Sequence, residues 1–85
     1  MGSLRSSTYC ALRAVLIEAR QHAGLTQRQL AVRLKRPHSW IAKIEAGERH
    51  VSVYEFMQIA SALSVPAEVL FKRFAKRDRA PNPAV

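Results

Sequence analysis

The residues best placed to do chemistry lie in one short stretch between Pro37 and Gly47. On a wheel of about 100° per residue, Trp40, Ile41 and Ile44 share one side. Ser39, Ala42, Lys43 and Ala46 share the other, with His38 beside Ala42. The second side sets an imidazole, a hydroxyl and an ammonium around two small alanines. That is a surface which can donate and accept hydrogen bonds while its backbone approaches a partner closely. Catalytic chemistry has no comparable support. His22, His38 and His50 do not fall at a metal-binding spacing, and Cys10 has no partner thiol. Neither a glycine-rich phosphate loop nor a nucleophile elbow is present, and the few acidic residues have capping, pairing or surface roles. No enzyme activity, cofactor or metal is expected.

Charge points to the class of partner. The 85 residues carry 14 Lys and Arg against 6 Asp and Glu, a net charge of +8. Residues 26–50 hold six basic and two acidic groups, and residues 71–85 hold five basic groups against Asp78. Between them, residues 51–70 contain only Glu55 and Glu68 as charged groups. Segregation of this kind makes a basic patch rather than an evenly solvated coat, and its natural partners are polyanions.

Those residues must be positioned by helices, because the apolar periodicity is 3.6 throughout and no clean alternation appears. The first helix is expected from about Ser7 to Ala23, with Leu12, Leu16, Ala19 and Ala23 on one face and Gly24 just past its end. A second opens at Thr26, whose capping-box partner is Gln29 and whose hydrophobic staple is Leu25 with Leu30. Gln27 is left free of capping duty. The third runs from about His38 to Ala46, between Pro37 and Gly47. Ser52 and Glu55 repeat the capping box for a fourth, with Val51 and Phe56 as staple and with Phe56, Ile59, Ala60 and Leu63 inward. Pro66 opens a fifth, carrying Val69, Leu70 and Phe74. The fold class is therefore all-α, five helices. Expected boundaries are a disordered start over 1–6, one domain over 7–76, and a disordered basic, proline-containing tail over 77–85.

The string Gly24-Leu25-Thr26-Gln27-Arg28-Gln29-Leu30-Ala31, followed by Ile44-Glu45-Ala46-Gly47-Glu48-Arg49, resembles the Cro and lambda-repressor type of helix-turn-helix protein, the XRE family. The resemblance covers about residues 12 to 71. It implies a lambda-repressor-like five-helix bundle in which the second and third helices form the helix-turn-helix and the third enters the DNA major groove. It further implies phosphate contacts from Gln27, Arg28, Arg36, Arg49 and His50, Gln27 being helped by the unpaired amides and dipole of its helix end. His38, Ser39, Ala42 and Lys43 would face base edges, Lys43 donating to guanine and Ala42 meeting a thymine methyl. Arg20 and Glu45 would form a structural ion pair. A homodimer on a palindromic operator is implied, with Val69, Phe71 and Phe74 of the fifth helix as the apolar interface.

The sequence departs from the family at the turn, where Lys35 stands in place of a frequent glycine and Pro37 in place of a capping hydroxyl. A lysine in the left-handed conformation costs about 1 kcal/mol or more. Four functional classes stay open. They are a stand-alone regulator of transcription, an antitoxin that also masks a protein toxin, an adaptor using the fold for protein contacts, and a nonspecific nucleic-acid binder. Gln27 together with a polar outward face over residues 38–43 favours the DNA reader. No apolar run of eighteen residues or export signal is present, so a cytoplasmic, nucleoid-associated protein of a prokaryote or phage is expected, with no membrane partner. Met1-Gly2-Ser3-Leu4-Arg5-Ser6 formally fits a myristoylation pattern, which so short a string matches by accident.

Overall fold

The computed structural model describes residues 4–78. These form five helices and, among the described residues, no strand: α1 Ser7–His22, α2 Gln27–Leu34, α3 His38–Glu45, α4 Val53–Ala62 and α5 Ala67–Asp78. One apolar core joins all five. Leu12, Val15, Leu16 and Ala19 of α1 meet Leu30 and Ala31 of α2, Trp40, Ile41 and Ile44 of α3, Ile59 and Ala60 of α4, Leu63 and Leu70. Ile41, Ile44, Ile59 and Leu70 are almost entirely shielded from water. The inward stripes follow the 3.6-residue pattern, except that Ala23, expected on the inward face of the first helix, lies past the end of α1 and is exposed.

Helix starts follow side-chain chemistry. Ser6 accepts from the Tyr9 amide, and both capping boxes form: Thr26 with Gln29, and Ser52 with Glu55. α3 and α5 are the exceptions, because Pro37 and Pro66 precede them and have no side-chain oxygen to offer. The ends of the first four helices share one device. A residue of positive φ follows each: Gly24 at 75°, Lys35 at 56°, Gly47 at 80° and Ser64 at 59°. The amides that follow then reach back to orphan carbonyls, as Arg36 N does to Ala31 O at 3.0 Å and Val65 N to Ala60 O at 3.0 Å. Two of the four turns thus lack the glycine that would adopt this geometry without strain.

The boundaries expected at the two ends need correction where they can be seen. Residues 4–6 are not structureless: the Leu4 carbonyl accepts from Arg13 Nη1 and Ser6 caps α1. At the other end α5 runs to Asp78, two residues past the expected limit, and Arg77 in its last turn reaches Glu18 of α1 at 2.7 Å. Packing of α5 along α1 continues the helix where local apolar periodicity has ended. Residues 1–3 and 79–85, with the acylation pattern's glycine and most of the proline tail, lie outside the described residues.

Candidate nucleic-acid interface

α2 and α3 pack directly against each other across the Lys35–Pro37 turn. The turn is tight because Lys35 accepts a left-handed backbone and Pro37 then presets the extended entry into α3. With Trp40, Ile41 and Ile44 inward, α3 exposes Ser39 and Lys43 to solvent and leaves Ala42 half-exposed between them. His38, half-buried, stands at the helix start beside Gln27.

Gln27, free of capping duty, has partners of another kind. Its Nε2 donates to Glu45 Oε1 at 2.8 Å, and its Oε1 lies 3.1 Å from His38 Nε2. Glu45 is the hub of this network. It also accepts from Arg20 Nε at 2.7 Å and Arg20 Nη2 at 3.0 Å, a two-pronged pair. The Arg20 and Glu45 side chains are only 12% and 8% exposed, and Arg20 Nη1 donates further to the Leu25 carbonyl at 2.7 Å. The start of α2 and both ends of α3 are thereby tied to α1. A side-chain amide has two donor hydrogens, so Gln27 keeps one for a ligand while holding Glu45. Arg20, Thr26, Gln27, Arg28 and His38 together line an open hollow at the start of α2, and Arg28 is exposed at its rim.

Past the other end of α3 the arrangement is different. Arg49 donates to both oxygens of Glu55 at 3.0 Å, and to the His50 carbonyl at 2.8 Å. Beside Arg49, and also accepting from Ser52, the Glu55 carboxyl is held at a pKa of about 2. His50 is exposed and sets its ring edge-on to Tyr9 at 5.0 Å. Arg36 sits before α3, with its guanidinium carbon 4.2 Å from the centre of the Trp40 ring and Nη2 donating to Gln58 at 3.1 Å. Glu55 and Gln58 were not among the expected site residues. The capping box accounted for Glu55 locally, and nothing in the spacing pairs Gln58 with a residue 22 positions earlier.

The expected interface on α5 divides. Val69 and Phe71 are exposed, at 40% and 56%, whereas Phe74 is half-buried against the core. Phe71 meets Phe56 and Phe74 edge-on at 6.4 and 5.7 Å. With Leu12, Val51, Ser52 and Val53 these rings line a shallow, almost wholly apolar hollow of about 180 Å³. Val53, 79% exposed, is a member that α5 periodicity does not reveal.

A family model described as a helix-turn-helix domain matches residues 11–71, the span that holds α2, α3 and their supports. Among solved structures, an XRE-family like protein from Pseudomonas syringae pv. tomato str. DC3000 is similar. It is 40% identical, with a TM-score of 0.75, over 80% of this chain and 83% of that one. The chain belongs to the XRE family of helix-turn-helix proteins. No curated protein matches it. Membership makes this XRE protein a DNA-binding regulator and α2–α3 its helix-turn-helix. No helix among its described residues is long and apolar enough to cross a membrane.

Proposed function

We propose that this XRE protein is a sequence-specific transcriptional regulator, a repressor or small controller, that binds a palindromic operator in the cytoplasm as a homodimer. α3 lies in the major groove, where Lys43 donates to guanine, Ser39 and His38 reach neighbouring base edges, and Ala42 meets a thymine methyl. Gln27, Arg28, Arg36 and His50 contact phosphates. Arg49 is the weakest of the five expected phosphate contacts, because Glu55 already balances its charge. The observation that carries this reading is the exposed pair Ser39 and Lys43 with Ala42 between them, beside the cationic hollow at the start of α2.

One recognition helix of eight residues reads only a few base pairs, so two-fold symmetry is needed to single out a site in a genome. Phe71, Phe56 and Val53 supply the apolar face for that dimer, joined by Val69. Its two α3 helices then stand about 34 Å apart, one DNA turn. Phe74 belongs to the floor of that face rather than to its contact surface.

Selection of sites from random duplex DNA tests the proposal. The expected outcome is an inverted repeat with half-sites one turn apart, bound with a salt slope of about −5 to −7. A slope shallower than about −2, or enrichment of no sequence, overturns it in favour of an adaptor or a nonspecific binder.

A further inference from the structure

Trp40 is the protein's one tryptophan and is 8% exposed, so it counts as core. Its surroundings are nevertheless cationic. The guanidinium of Arg36 lies 4.2 Å from the ring centre and that of Arg49 at 5.1 Å. The two cations are handled differently. Arg49 is neutralised by the two-pronged pair with Glu55, which anchors it to the start of α4. Arg36 has only a neutral partner, the Gln58 amide oxygen, and keeps its charge unbalanced. The indole N–H has no hydrogen-bond partner among the described residues, so what the ring contributes here is its face and its volume rather than its polar edge.

We infer that Trp40 is a positioning residue for DNA binding: its ring and Gln58 hold Arg36 as a pre-ordered phosphate contact immediately before α3, while the Arg49–Glu55 pair braces the ring. This rests on the DNA-binding reading above. An arginine swinging in water must be immobilised when it meets a phosphate, and ordering it at folding removes that cost from binding. A planar guanidinium stacks on a ring and still directs several N–H groups outward; an ammonium does not. The pre-ordering is worth about 2- to 10-fold in affinity.

The test measures binding to the selected operator and to an unrelated duplex, with salt titrations, for Trp40→Phe, Trp40→Leu, Arg36→Lys, Arg36→Ala and the Trp40→Leu/Arg36→Ala double variant. Trp40→Phe keeps an aromatic face, gives up the unpartnered N–H and part of the ring's volume, and is expected within about twofold of the native protein. Arg36→Lys and Trp40→Leu each bind about 2- to 10-fold more weakly on both DNAs with the native salt slope. Arg36→Ala makes the slope shallower by about 0.9. In its background Trp40→Leu has no further effect. If Trp40→Leu does not fold, Arg36→Lys and Trp40→Phe decide: a lysine that binds like the native arginine overturns the inference. An equal penalty for Trp40→Leu with and without Arg36 also overturns it and leaves DNA binding intact. A native slope shallower than about −2 overturns the DNA reading itself and this inference with it.

Discussion

Glu45 carries a large consequence for stability. Its carboxylate accepts two hydrogen bonds from Arg20 and one from Gln27 while 8% exposed, and Arg20 is 12% exposed. Glu45→Ala removes the counter-charge and leaves the guanidinium in a poorly solvated place with one remaining acceptor, the Leu25 carbonyl. Breaking a fully buried pair costs about 3–5 kcal/mol. The surviving Leu25 bond and residual exposure lower this to about 2–4 kcal/mol. For a domain of this size that is a fall of roughly 8–32 °C in Tm, at about 4–8 °C per kcal/mol. Replacing both residues by leucine removes the stranded charge along with the pair, so the double variant is expected to be more stable than Glu45→Ala. Thermal and urea unfolding of the single and double variants measure the coupling directly. A coupling below about 0.5 kcal/mol, the value of a surface pair, would refute the claim that this pair is buried enough to orient α3.

Glu55 makes a prediction about acid. Its folded pKa of about 2 lies below its ordinary value of 4.5, so the stability it contributes is present above about pH 4.5 and is lost as pH falls towards 2. With Arg49 one-third exposed, solvent screening limits this to about 1 kcal/mol, and urea titrations from pH 7 to 2 should show that much less acid sensitivity in Glu55→Gln. Lys35→Gly relieves a left-handed lysine at φ 56° and is expected to raise stability by up to about 1 kcal/mol, whereas no change or a loss would mean the turn is not strained. Phe71→Glu places a charge on the exposed ring face and is expected to leave a folded monomer in sedimentation; a surviving dimer would move the interface elsewhere. Lys43→Ala is expected to cost about 1–3 kcal/mol on the operator alone, and Gln27→Ala to weaken operator and unrelated DNA equally, so equal losses for Lys43→Ala would reduce it to a phosphate contact.

Much of the fold is legible locally because helix ends are local chemistry. Thr26 with Gln29 and Ser52 with Glu55 mark two starts through side chains three residues apart. Gly24 and Gly47 mark two ends through a backbone angle other residues avoid. Ser64 adopts the same angle with no local signal beyond the end of the apolar stripe. The two faces of α3 were equally readable, since an eight-residue helix with three large apolar residues on one side has one way to bury them.

By itself, then, the sequence determined five helices, their inward stripes, the outward set of Ser39, Ala42 and Lys43, and a basic balance that calls for a polyanion. Tertiary structure alone decided what the polar side chains between helices do. Gln27 bridges Glu45 and His38, Arg36 finds Trp40 and Gln58, Arg49 goes to Glu55, and Phe71 meets Phe56 across α4 and α5. The physical reason is range. Periodicity and capping act over three or four residues, whereas Gln27 and Glu45 are 18 positions apart and Arg36 and Gln58 are 22, brought together only by burial of the shared core.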